Sequence, residues 1–161
     1  MRHNKLRTLF LFAALFISLS LVAAAKDHDS CANLPVAGEW GFTWTGMLII
    51  GTTPVPAVAV GTSINEADGN ISGTLTSSIG GTVSTDTMTG TYTQNPDCTG
   101  TLTVVITGDV SRTATWDTVL VDNGREIHAI MKSLVIPGYP PVKPLVTMIS
   151  KQLFPERGIG Q

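Results

Sequence analysis

Between residues 39 and 136 the chain is a succession of short stretches rich in Thr, Val, Ile and aromatics, each broken by Gly, Asn or Asp. Breaks that close together leave room for strands and hairpins but not for helices of ordinary length, so this part reads as an all-β meander. Strands are expected at 39–50, 55–65, 70–78, 82–93, 99–108, 113–122 and 125–136. The first alternates Trp40, Phe42 and Trp44 with Gly41, Thr43 and Thr45. Side chains of a strand point alternately to its two faces, so the three rings share one face, which belongs to the core.

Turn chemistry separates most of these strands. Asp68-Gly69 and Gly80-Gly81 supply positive φ at low cost, Asn95-Pro96-Asp97 makes a compact reversal, and Asn123-Gly124 is the strongest two-residue hairpin signal. With Asn123-Gly124 as the turn, Asp122 faces Arg125, Leu120 faces Ile127, Thr118 faces Ala129 and Trp116 faces Met131, which makes one face of the hairpin apolar. A local pattern recurs as Gly73-Thr74-Leu75-Thr76, Gly90-Thr91-Tyr92-Thr93 and Gly100-Thr101-Leu102-Thr103. The copies are unequally spaced, which argues against a solenoid. In each, the central apolar side chain can point inward and both threonines outward. An ice-binding plane would also use Thr-x-Thr arrays, but flat repeated rungs are missing and ordinary strand solubility is the preferred reading.

In the tail, Val142, Leu145, Val146, Ile149 and Leu153 fall at helical spacing, with Pro144 suited to a first helical turn. A strand over 144–153 is preferred, because it covers the otherwise unpaired edge of the first strand. The expected architecture is a single antiparallel up-and-down barrel of about eight strands, with a β-sandwich as the alternative.

The amino terminus carries Arg2, Lys5 and Arg7, then an apolar run over residues 9–25 ending in Ala23-Ala24-Ala25. That is the layout of a secretory signal peptide with a cut after Ala25. The expected division is a signal peptide at 1–25, an N-terminal segment at 26–37 and a barrel domain at 38–161, secreted or periplasmic, with no membrane span in the mature protein. Cys31 lies too far from the cut for a lipid anchor. Of 161 residues, 161 − 25 = 136 remain, enough for one core. The cut leaves 7 of the 10 Lys and Arg against 12 Asp and Glu, a net charge of −5, which speaks against a nucleic-acid partner.

Two cysteines, Cys31 and Cys98, survive processing, and exported proteins meet an oxidising compartment. A disulfide is preferred over a metal-binding pair, since no further Cys or suitably placed His accompanies them.

The segments Asp68-Gly69-Asn70-Ile71-Ser72-Gly73, Gly90-Thr91-Tyr92-Thr93 with Asp97-Cys98-Thr99-Gly100-Thr101, and Val121-Asp122-Asn123-Gly124-Arg125-Glu126-Ile127 together resemble a family of uncharacterised secreted bacterial proteins. The resemblance covers nearly all of the mature chain, and the Asp-Cys-Thr-Gly-Thr turn after a Gly-x-Tyr strand is its most specific part. It implies a small closed barrel, broadly similar to calycins or allene oxide cyclase. No activity comes with it, no catalytic motif of the cyclase carries over, and the Pro-rich stretch from Pro137 to Pro144 departs from the pattern.

Residues able to carry chemistry are few. There is no Gly-x-Ser-x-Gly elbow, no phosphate-binding glycine loop and no His-x-x-x-His or Cys-x-x-Cys pair, so neither a hydrolase nor a metal cofactor has a motif behind it. Asp117, Glu126 and His128 gather on one face of the predicted hairpin, where a solvated outer face is the preferred reading and a site in the barrel mouth the sharper one. Trp40, Phe42, Trp44, Tyr92 and Trp116 are candidates to line a ligand cavity, against the plainer reading of packed core. A start at Lys26 would place His28 third, where amine, two amides and imidazole could hold Cu(II) or Ni(II), although an idle, solvated terminus is preferred. The leading expectation is a secreted, non-enzymatic barrel holding a small apolar or amphipathic ligand. A structural or interaction module of the cell envelope is second and a cyclase- or isomerase-like enzyme third. Ligand identity and oligomeric state are not legible.

Overall fold

The computed structural model describes Cys31 and residues 36–154. The expected signal peptide, most of the 26–37 segment and His28 lie outside the described residues.

Eight antiparallel strands close into one up-and-down barrel: β1 (Gly38–Ile50), β2 (Thr53–Asn65), β3 (Asn70–Ile79), β4 (Thr82–Gln94), β5 (Thr99–Thr107), β6 (Arg112–Val121), β7 (Glu126–Val135) and β8 (Val142–Gln152). Each strand pairs with its neighbours in sequence, and β8 closes the ring against β1, with Trp44 opposite Met148 and Trp40 opposite Gln152. The sandwich alternative is thereby excluded. The tail forms a strand rather than a helix, because only a strand can satisfy the backbone donors and acceptors along the free edge of β1. Pro144 is tolerated there, opposite Leu48. The Pro-rich stretch lies mainly in the β7–β8 connection, where Tyr139 N–H donates to Ile136 C=O at 3.1 Å.

Alternation decides what faces inward. Trp40, Phe42, Trp44 and Leu48 of β1 are buried while Thr43, Thr45 and Met47 are exposed, and the other strands alternate likewise, except that β7 changes parity between Met131 and Leu134. In the three Gly-Thr-x-Thr copies, Leu75 is buried and Tyr92 and Leu102 are half-buried, whereas Thr74, Thr76, Thr91, Thr93 and Thr101 are exposed. The largest core cluster includes Phe42, Trp44, Leu75, Met88, Trp116 and Met148. Each such side chain contributes roughly 1.5–3 kcal/mol when fully buried.

The β6–β7 hairpin keeps the expected register at Leu120–Ile127, Thr118–Ala129 and Trp116–Met131. Asn123 and Gly124 both take positive φ, 54° and 84°, and Arg125 N–H donates to Asp122 C=O at 3.2 Å. The loop is wider than a minimal two-residue turn: Asp122 leaves the strand with φ 51°, so Val121–Glu126 is the last paired couple. Beyond Trp116 the register shifts, with Thr115 opposite Ser133. That shift passes over Lys132, a bulge of the kind that bends a barrel strand.

Two ends can be distinguished. The proximal end is where β1 begins and the 66–69, 95–98 and 122–125 loops lie; the distal end carries the 51–52, 80–81, 108–111 and 136–141 loops. At the proximal end, Cys31 and Cys98 form a disulfide with Cα atoms 4.9 Å apart. The Asp97-Cys98-Thr99 turn has a local cause. The Asp97 carboxylate accepts from the Thr99 amide at 3.1 Å and the Thr99 hydroxyl at 2.6 Å, and Cys98 between them takes φ 69°. These hydrogen bonds hold the Asp97 carboxyl below the usual carboxylate range.

Candidate functional site

The barrel interior holds a partly open cavity of about 60 Å³ in its proximal and middle parts. Apart from Val36, which precedes β1, and the outward-facing Thr93 at its rim, its walls are strand residues of inward parity, which the fold places without help from loops. Phe42 and Trp44 come from β1, Leu75 from β3, Met88 from β4, Trp116 from β6 and Met148 from β8. The polar groups are Ser63, Asn65, Thr93, Gln94, Thr118 and Ser150, contributed by the proximal ends of β2, β4, β6 and β8. The lumen is therefore graded, apolar in the middle and hydrogen-bonding toward the proximal end. No Asp, Glu, Lys, Arg or His lines it.

Among the polar wall groups, Ser63 and Asn65 are buried and Ser63 Oγ donates to Asn65 Oδ1 at 3.1 Å. Ser150, also buried, donates to Gly41 C=O at 3.4 Å. Four of the five aromatic candidates line the cavity: Phe42, Trp44, Tyr92 and Trp116. Trp40 does not. It is fully buried in a second cluster with Cys31, Val36 and Leu120, and its Nε1–H donates to Val36 C=O at 2.8 Å. That cluster packs under the proximal end, where the disulfide fastens Cys31 to Cys98. Tyr92 lies at the junction of the two clusters and donates from its hydroxyl to Glu66 C=O at 3.0 Å. Burial, and the nearby Asp68 charge, push the Tyr92 phenol pKa up.

Toward the distal end the interior holds a buried ion pair that the sequence reading does not anticipate. Arg112 Nη2 donates to Asp86 Oδ2 at 2.8 Å, with the side chains 8% and 2% exposed. Ser84 Oγ donates to the same carboxylate oxygen at 3.0 Å, Arg112 Nη2 reaches Ser77 Oγ at 3.4 Å, and Arg112 Nη1 donates to Val110 C=O at 3.2 Å. A side chain at Gly108 would collide with the Asp86 carboxylate, so that position is kept bare by close approach. The signal for this pair was present in strand parity: Asp86 shares the face of Met88 and Tyr92, and Arg112 that of Ala114 and Trp116. Parity likewise puts Ser63 and Asn65 on the face of Ala57 and Ala59.

The Asp117, Glu126 and His128 group lies on the outer face and does not form one site. His128 Nε2 hydrogen-bonds Glu126 Oε1 at 2.8 Å, and Lys151 Nζ contacts Glu126 Oε2 at 3.1 Å. Lys151, then His128, hold the Glu126 carboxyl below the usual range. Asp117 is instead paired with Lys132 at 3.5 Å and stands opposite Ile130. An open surface hollow runs across Asp117, Val119, His128 and Ile130. Among the described residues, no group of three or more His, Cys, Asp or Glu side chains is arranged to hold a metal ion.

The chain matches no family model, no curated protein and no solved structure. Its lumen is therefore the firmest ground for a functional reading.

Proposed function

We propose that this protein is a secreted, non-enzymatic carrier whose barrel encloses one small apolar or amphipathic molecule. The observation that carries the reading is the void itself, walled by Phe42, Trp44, Leu75, Met88, Trp116 and Met148 of the main core cluster. Protein interiors are close-packed, so an apolar void of this kind is costly unless something occupies it. Small closed barrels either fill with side chains or hold one ligand, and methionines such as Met88 and Met148 let a wall adapt to an occupant. The disulfide fits an oxidising, exported location. The resemblance to small secreted barrels points the same way.

The reading takes the barrel exterior to face water. Trp40, Phe42, Trp44, Tyr92 and Trp116 turn inward, while Lys132, Lys151 and Asp117 stand well exposed outside, charges that a lipid-facing band disfavours. Asp86, the carboxylate a cyclase- or isomerase-like reaction would need, is held by Arg112 and lies off the cavity wall.

The test is mass spectrometry of small molecules released on denaturing protein purified under native conditions, paired with a thermal-shift screen of small apolar compounds. The expected result is a stoichiometric released compound or a raised melting temperature with a subset of the screen. Neither outcome appearing would reject the carrier reading.

A second reading, an interaction module, is favoured by the exterior of β1, β2, β7 and β8, where Met47, Val58, Val60, Ile130, Leu145 and Ile149 are exposed. Apolar exposure on this scale marks contact surfaces in other proteins. Sedimentation velocity across a concentration series tests it, with a purely monomeric protein counting against self-association.

A further inference from the structure

We infer that the lumen's occupant is an uncharged molecule of a few heavy atoms bearing one hydrogen-bond-accepting oxygen, seated with that oxygen at Asn65. This rests on the carrier reading above and narrows it by charge, by size and by orientation.

Charge is limited by the wall. No ionisable side chain lines the cavity except the Tyr92 phenol, which is neutral, and the interior charges Asp86 and Arg112 already neutralise each other away from it. A carboxylate or ammonium brought into the lumen would have no counter-charge, and an unpaired buried ion is far more costly than a neutral polar group.

Size follows from the volume of about 60 Å³. That is far below the several hundred Å³ of a typical drug-sized ligand pocket, so the void suits a molecule of a few heavy atoms before Met88 or Met148 must move. A short ketone, aldehyde or ether fits that limit; a long-chain lipid does not.

Orientation follows from Asn65, which is only 6% exposed and lines the cavity. Its carbonyl oxygen accepts from Ser63 Oγ at 3.1 Å. A primary amide has two N–H donors besides that acceptor, and among the described residues the Asn65 amide nitrogen donates to no side chain or carbonyl. Among the described residues no fully buried side-chain nitrogen or oxygen is left without a partner, so this donor is one that the lumen reaches, and an occupant's oxygen can take the place of water there. The apolar remainder of the molecule then lies along Trp44, Leu75 and Met88, farther from the proximal end.

The test uses the full mature protein with its methionine methyls labelled by carbon-13, so that Met88 and Met148 report occupancy. Four probes of equal chain length are titrated: pentan-2-one, pentane, pentanoate and pentylamine. Pentan-2-one is expected to shift both methyl signals. Pentanoate and pentylamine are expected to leave the signals unmoved. In Asn65→Leu the affinity for the ketone should fall roughly three- to tenfold, the range of one net hydrogen bond, while pentane binds no more weakly than before. Either ion binding as well as the ketone overturns the inference and leaves the carrier reading standing. Undiminished ketone binding by Asn65→Leu overturns it in the same way. No response to any of the four probes, as expected of a void holding only water, would count against both. The wild-type series stands by itself should Asn65→Leu fail to fold.

Discussion

Arg112 and Asp86 meet at 2.8 Å inside the barrel, with both side chains almost wholly out of water and the hydroxyls of Ser77 and Ser84 completing their hydrogen bonds. The pair joins β4 to β6 across the intervening β5. Breaking a buried pair leaves an uncompensated charge, whereas replacing both members with apolar groups removes the desolvation cost along with the attraction. Asp86→Leu or Arg112→Met alone should therefore cost about 3–5 kcal/mol, and the double variant much less than the sum. Urea denaturation of the four proteins checks this, and strictly additive losses would contradict a coupled pair.

The Cys31–Cys98 bond closes a loop with a sequence separation of 67 residues and holds Cys31 in the cluster with Val36, Trp40 and Leu120. In the chain-entropy account a loop of that length is worth roughly 4 kcal/mol. Thiol labelling of the unfolded, unreduced protein should find no free cysteine. Reduction, or Cys31→Ser with Cys98→Ser, should lower the urea midpoint and loosen Trp40, seen as a red shift in tryptophan emission. Labelling of two thiols before reduction would refute the bond.

At the β6–β7 turn, Gly124 takes φ 84° immediately after Asn123 at φ 54°. A β-branched residue is strained there, so Gly124→Val should destabilise the protein by about 1–3 kcal/mol. Asn123→Gly should be close to neutral, since glycine enters that region freely. An unchanged melting temperature in Gly124→Val would contradict the turn.

Tyr92 offers a pH test. Its phenol pKa is raised by burial and by the charge of Asp68. A group that holds its proton more tightly in the folded state than in the unfolded one leaves stability intact below the unfolded pKa. Stability then falls as pH rises through the window between the unfolded and folded values. The chain has two tyrosines, so Tyr139→Phe isolates Tyr92. Ultraviolet titration of that variant should give a phenolate midpoint above that of free tyrosine, and unfolding in alkali should move to higher pH in Tyr92→Phe. A midpoint at or below the free value would argue against the buried setting.

Strand by strand, the architecture was written locally. Trp40, Phe42 and Trp44 alternate with small residues, and Asn123-Gly124 sets a register that persists from Leu120–Ile127 to Trp116–Met131. Both signals act over a few residues, through side-chain parity and allowed φ, and so are readable without knowing the rest of the chain. The tail was ambiguous because Val142, Leu145, Val146 and Ile149 satisfy both periods. Closure against β1 settles it, since backbone pairing with a strand about a hundred residues away is not a local property. Parity also marked Asp86, Arg112, Ser63 and Asn65 as inward, but charge and polarity argue for solvent until a partner is known. Only the barrel brings Arg112 to Asp86 across β5, and Trp44 to Met88 and Met148 around one void. Likewise only the tertiary structure separated Trp40 from the cavity, because the strand pattern gives the side a ring faces, whereas its height along the barrel axis decides what it meets there.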